Sequence, residues 1–445
     1  MKTLTCLRTS AAAWIAPVCI AVVTFYFFKA IRDDPAYSEM RDGLEWAPTI
    51  VDAAVAPFYM FAYPIAAALG SWEAGRLKQG GVWALAPARS RFRVAAHALL
   101  PVLATGWLTL TLPVVMGLID IGVWPSIASL NPLLMAMAVV VAYIVIGFAI
   151  GSRFNRVISA PLLLVCVFYL VGWSATNNPA WQRHLSGKMS GGVMIGEEIP
   201  WSTLAPHILF TGAIAAALAI AWIPTRLAWQ RIVLRTAAVL AAAVTMVSCL
   251  RTVQGWDPYF APRVAGHVPT RCAGETPRVC IPDGTGASPA AAAKEIRDSF
   301  QRLDKAGVTV HVPESIEDTL GTGRVAARST DRHWHMPVSK QWHNGGGELL
   351  RLSVVLHEVR FACRFTDVVN SRSAKLWAAT VAGADKPYIA WQKQELQQYA
   401  NPDEVMQVMN RRVAEARALS PEQQKVWYEK ELARACKDAG KDTRS

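Results

Sequence analysis

The sequence predicts an all-α polytopic membrane protein of about seven transmembrane helices followed by a mainly α-helical soluble domain, and three observations predict it. The 445 residues are 53% hydrophobic and only 18% charged, where ordinary globular chains carry about 25% charge. The charge is unevenly spread: residues 1–252 hold 18 Lys and Arg with 10 Asp and Glu, whereas 253–445 hold 27 and 23. Seven apolar stretches lie in the first part, each near the roughly 20 residues that cross about 30 Å of hydrocarbon. Together these exclude a wholly soluble enzyme. They divide the chain into a transmembrane domain, 1–252, and an extracytoplasmic, mostly helical domain, 253–445.

The stretches fall at about 11–29, 49–70, 95–118, 131–151, 158–174, 205–224 and 234–251. The first follows a short basic segment, as a signal peptide would, but it ends in bulky Phe25-Tyr26-Phe27-Phe28 with no small-residue cleavage site after it, so a retained helix is expected. Short loops set the orientation. A cytoplasmic N-terminus places 12 basic residues inside, among them Arg76, Arg91, Arg93, Arg153 and Arg156, and 5 outside. The chain is therefore expected in a bacterial plasma membrane, multi-pass, with residues 253–445 outside. The formal charge of +12 then reads as a positive-inside pattern rather than a nucleic-acid footprint. Asp52 and Asp120 stand near outer helix ends, where interfacial capping explains them more simply than a transport relay. Pro57, Pro64, Pro101 and Pro113 interrupt the second and third stretches, as is common in membrane helices.

Between the second and third stretches runs Ser71-Trp72-Glu73-Ala74-Gly75-Arg76, then Gly80-Gly81-Val82-Trp83-Ala84-Leu85, then Pro87-Ala88-Arg89-Ser90-Arg91. The plain reading is a surface element whose basic groups hold headgroup phosphates while Trp83 and Leu85 dip into the interface. The segment also resembles the permease subunits of ABC-2-type transporters. There a glutamate closes the second helix, and a Gly-containing stretch and a Pro-x-Ser-Arg-like segment lead into the third. The resemblance covers about residues 1–235 and implies an ATPase-coupling loop carried by Glu73, Arg76, Pro87, Arg89, Ser90 and Arg91. It implies a separate ABC ATPase subunit as partner and a homodimer or a heterodimer with another permease half. The seventh helix and the tail depart from that family. No Gly-x-x-x-x-Gly-Lys-Ser/Thr loop occurs, so ATP hydrolysis must come from another chain.

The tail contains Cys272, Cys280, Cys363 and Cys436. In an oxidising compartment these favour two disulfides, most simply Cys272 with Cys280 and Cys363 with Cys436, although four cysteines permit three pairings. Residues 253–288 read as loop with a short strand. Ser288-Pro289 opens a helix to about 303, Val308 to Val312 alternates as a strand, and 321–347 reads as irregular. Helices are expected at 348–369, 372–381, 387–399, 402–418 and 421–437. His357-Glu358 begins like a zinc-peptidase helix, but Phe361 stands where the second His belongs. His333, His335, His343 and His357 are weak metal candidates. No metal, cofactor, catalytic residue or nucleic-acid partner is expected. The expectation is a permease moving a hydrophobic or amphiphilic substrate. The alternatives are a non-transporting membrane-anchored binding or sensory protein and, behind it, a membrane-tethered zinc hydrolase.

Overall fold

A computed structural model of the protein describes residues 10–33, 37, 46–85, 90–174, 180–189, 191–225, 227–283, 285–325, 327–398 and 401–437. The chain divides into two compact units, Met1–Gly266 and His267–Ser445. Among the described residues, the first contains seven helices long and apolar enough to cross a membrane: Ala11–Ile31, Ala47–Gln79, Arg91–Ile121, Ala128–Arg153, Arg156–Trp173, Trp201–Ala221 and Ala228–Val253. Their regular parts are α1 (Ala11–Tyr26), α2 (Ala47–Val55), α3 (Tyr59–Gln79), α4 (Arg91–Ile121), α5 (Asn131–Arg153), α6 (Arg156–Trp173), α7 (Trp201–Ala221) and α8 (Ala228–Val253). A short 3-10 turn, Ala56–Phe58, joins α2 to α3 in one span. Pro57 lies in that turn, consistent with the backbone donor a proline lacks.

In lipid, apolar side chains gain nothing by facing one another, so spans associate where small residues let backbones approach. α3 and α5 use this device. A Cβ on Gly147 would lie 2.0 Å from Ala67 O, one on Gly151 2.2 Å from Ser71 O, and one on Gly70 2.6 Å from Ile144 O. Gly147 and Gly151, four residues apart on α5, thus meet Ala67 and Ser71, four apart on α3. Around that contact pack Val102 and Leu110 of α4, Val167 and Val171 of α6, and Tyr59, Tyr63 and Tyr143.

The first compact unit runs past the end of α8 to Gly266 because the chain after α8 folds back on it. Ala261 joins its core. Arg263 forms a buried ion pair with Glu197 at 3.3 Å. β1 (Glu197–Glu198) and β2 (Val264–Ala265) pair antiparallel.

The second unit is mostly helical, with a four-stranded sheet that the composition of 253–347 did not suggest. Its strands are β3 (Thr270–Ala273), β4 (Arg278–Pro282), β5 (Ser315–Asp318) and β6 (His333–Met336), in the order β3-β4-β5-β6. β3 and β4 are antiparallel, and the other two pairings are parallel. Val279, Ile281, Ile316, Trp334 and Met336 form a core with Ile296 and Phe300 of α9 (Pro289–Lys305) and with Leu350 and Val354 of α10 (Val338–Glu358). The expected strand at 308–312 is absent. Its alternating valines are partly explained by burial of Val308 in a second core, but the His311 N–H donates to Glu358 at 2.8 Å instead of to a neighbouring strand. α10 also starts ten residues before the expected 348 and ends at Glu358. The Gly345-Gly346-Gly347 triplet lies inside it. Gly346 takes φ +58°, and a Cβ on Gly347 would meet Glu295 at 2.8 Å, so glycine suits both positions.

The second core joins α11 (Val368–Ala382), α12 (Asp385–Glu395), α13 (Pro402–Arg417) and α14 (Pro421–Lys437) around Trp377, Tyr388, Met409 and Tyr428. Asp367 caps α11 by accepting from Asn370 N at 2.7 Å. Both disulfides are present in the simplest pairing. Cys272–Cys280 ties directly opposed residues of β3 and β4, and Cys363–Cys436 staples the segment before α11 to the end of α14.

Because the α3–α5 crossing has no room for side chains, Gly147→Val is expected to destabilise the protein by about 2 kcal/mol or more. The same change at Gly212, which has open space around it, should cost well under about 1 kcal/mol. Thermal unfolding of the purified chain in detergent compares the two directly.

Candidate functional site

The basic ends of the spans gather at one end of the bundle. α3 runs on as helix through Gln79, nine residues past the end expected at 70, so Glu73 and Arg76 lie on a helix and not in a loop. A carboxylate at this depth is costly unless every lone pair is used. Glu73 is fully buried and meets that condition. Its Oε1 accepts from Ser10 Oγ at 2.9 Å and from the Ala11 N–H at 3.1 Å, and its Oε2 binds the Arg76 guanidinium at 2.6–2.7 Å. The carboxylate therefore caps α1, where its charge also opposes the positive end of the helix dipole. Ser90 caps α4 by accepting from Arg93 N at 3.3 Å, and Arg91 and Arg93 stand exposed on the first turn. Pro87 and Arg89 lie outside the described residues.

Between these anchors, residues 80–85 turn back onto the bundle. Trp83 meets Trp222 edge-on at 5.4 Å, just past the end of α7, and Trp222 meets Phe92 at 5.2 Å and Phe148 at 5.4 Å in the same way. One aromatic cluster thus links the connecting segment to the ends of α4, α5 and α7. Beside it opens a cleft of about 450 Å³, lined by Phe92, Leu99, Phe148 and Trp222, with Arg153 at its edge. A second, wholly apolar groove of about 630 Å³ runs along the bundle side between α1, α3 and α6, past Ile15, Val22, Ile65 and Leu164.

The opposite end is closed by residues 180–199. Tyr63 donates to Gly187 O at 2.7 Å, the Gly187 N–H donates to His207 Nδ1 at 3.2 Å, and the Val193 N–H donates to Asp52 at 3.1 Å. Trp46 and Asn131 donate to the carbonyls of Glu197 and Ile199. The segment after α8 covers this cap: Arg183 donates to Pro258 O, and His184 Nε2 lies 2.9 Å from Asp257 O. Burial is the larger influence on His184 and lowers its pKa, keeping the imidazole neutral. Asp52 holds this cap, and Asp120 pairs with Arg32 at 3.2 Å, so both acids have structural partners. His207 and the three stacked tyrosines are the interior polar groups that sequence reasoning missed. Tyr59 and Tyr63 lie four apart in one apolar run, whereas only folding brings Tyr143 onto Tyr63 and His207 onto Gly187.

In the second unit, the described side chains of His333, His335 and His357 have separate partners. His333 Nδ1 lies 2.8 Å from Ser315 Oγ, and His335 lies 3.6 Å from Glu317. His357 contacts the carbonyls of Ser353 and His335 and stacks on Trp334 at 5.5 Å. His343 lies in α10. Among the described residues, no group of three or more His, Cys, Asp or Glu is placed to hold a metal ion. The partner of Glu358 is His311, 47 residues away, a pairing without a local signature.

No known protein family, curated protein or solved structure matches the chain.

The Glu73 clamp and the exposed arginines should respond differently to substitution. Glu73→Ala leaves the partly exposed Arg76 guanidinium and two further donors without their acceptor and is expected to cost about 1–3 kcal/mol. Arg91→Ala should stay within about 0.5 kcal/mol of the wild type. Denaturation in a mild detergent, followed by tryptophan fluorescence, measures both.

Proposed function

We propose that the chain is the permease subunit of an ABC-2-like transporter, moving a hydrophobic or amphiphilic substrate with energy from a separate ATPase. In this reading the basic end of the bundle faces the cytoplasm, in keeping with the excess of Lys and Arg there. The second unit is then a soluble domain on the far side of a bacterial plasma membrane, where disulfides persist. The observation that carries the reading is the contact of Trp83 with Trp222. It gives residues 80–85 a mechanical connection to the ends of three spans, as a coupling element requires. Arg91 and Arg93 supply an exposed basic face beside it for an acidic partner surface.

The division of labour differs from the one the motif implies. Glu73 roots the element by locking α3 to α1, and Arg76 holds Glu73, so the docking role passes to Arg91, Arg93 and their neighbours. The groove along α1, α3 and α6 presents only apolar surface, and the cleft beside Trp222 is apolar apart from Ser152 and Arg153. Such surfaces suit acyl or other hydrophobic groups better than a strongly hydrated solute.

The test is co-expression with candidate ABC ATPases from the same cell, followed by affinity purification. The wild type is expected to retain one ATPase, and Arg91→Glu/Arg93→Glu to reduce that retention at least about tenfold through like-charge repulsion. Trp83→Ala should keep the ATPase bound yet lose permease-dependent stimulation of ATP hydrolysis. Unchanged association after the double charge reversal would remove the coupling role from this element.

A further inference from the structure

At the basic end of the first unit, segments 71–94, 151–157 and 222–235 connect the spans and contain ten Lys and Arg but one acid, Glu73. Glu73 is buried, and Arg76 already answers its charge. Three of the remaining cations are set around the cleft of about 450 Å³ beside Trp222. Arg153, at the end of α5, is exposed and lines the cleft. Arg235 of α8 donates to the carbonyl of Ala221, another lining residue, at 3.3 Å. Lys78 of α3 donates to the carbonyl of Arg153 at 3.4 Å. Three helices thus bring one cation each to one rim.

The rim and the interior of the cleft differ in chemistry. Inside, Phe92, Leu99, Phe148, Leu218 and Trp222 make apolar walls. The Ser152 hydroxyl donates to Ala149 O at 2.7 Å and so is used within α5. At the rim, the ends of α5 and α7 would present negative dipole ends, but Lys78 and Arg235 cover a carbonyl of each. A guanidinium carries five N–H donors, so Arg235 can hold Ala221 and still offer a fork to a phosphate. A free phosphate would leave the apolar walls unused, and a lipid of no net charge would leave the rim charge unanswered. An amphiphile with an anionic head satisfies both, and a basic pocket between spans is a setting in which phospholipid heads bind. The volume lies within the roughly 300–1,000 Å³ of small-ligand sites.

We infer that this cleft holds one anionic phospholipid, with its phosphate at the rim formed by Arg153, Arg235 and Lys78 and one acyl chain against Phe92, Phe148 and Leu218. Arg153 and Arg235 are the head-group residues. Lipid retention here needs neither an ATPase nor transport, so it holds or fails independently of the permease reading.

Native mass spectrometry of the full chain in a nonionic detergent, with equal amounts of phosphatidylglycerol and phosphatidylcholine of the same acyl chains, tests it. One phosphatidylglycerol per chain is expected to be retained, in at least about tenfold preference over phosphatidylcholine. Arg153→Gln/Arg235→Gln should remove that preference. Arg231→Gln/Arg251→Gln deletes the same charge from exposed positions that do not line the cleft, and it should leave the preference unchanged. Ala96→Phe fills the cleft from an exposed lining position. It should lower phosphatidylglycerol retention severalfold, and it serves as the test if the double arginine variant fails to fold. Glycerol 3-phosphate, the same head without a chain, should not displace the lipid. Lack of preference for phosphatidylglycerol, or equal loss of it in both arginine pairs, would overturn the assignment. So would unchanged retention by folded Ala96→Phe, or displacement by glycerol 3-phosphate.

Discussion

The backbone contact between α3 and α5 is the constraint on which the rest of the first unit depends. Gly147 and Gly151 leave no Cβ between the two helices, so α3 is held against α5 along two turns. Both ends of the bundle are then organised from α3. At one end Tyr63 reaches Gly187 and helps to hold the closing segment 180–199 in place. At the other, Glu73 clamps the start of α1 and roots the turn that carries Trp83 to Trp222. A shift of α3 along α5 would disturb the cap and the clamp together.

The buried carboxylates of this unit are held by specific donors. Glu73 has four donors, and Glu197 has Arg263 and a backbone N–H. Asp52 holds a backbone N–H of the cap.

The spans were legible because length and apolarity alone determine whether a helix can cross a bilayer. Their ends were less legible. Glu73 and Arg76 read as water-facing charges, yet they satisfy each other and the α1 N-terminus inside the helix, which carries α3 on to Gln79. The disulfide pairing followed the simplest connectivity, with Cys272 and Cys280 opposed across a hairpin that eight residues readily form. The four-stranded sheet was not legible because its strands are four or five residues long and two of its pairings are parallel, joining segments far apart in sequence. The Glu358 pairing was hidden for a similar reason. Its neighbour His357 drew the chemical reading, while its true partner, His311, lies on a distant segment.

The proposed orientation puts Arg91 on the cytoplasmic side and Cys272 and Cys280 outside. Thiol labelling of intact cells tests it most directly. After mild reduction, a membrane-impermeant maleimide is expected to label Cys272 and Cys280 from outside, whereas a cysteine placed at Arg91 should react only once the membrane is opened. Labelling of the Arg91 position in intact cells, with protection of Cys272 and Cys280, would contradict the account.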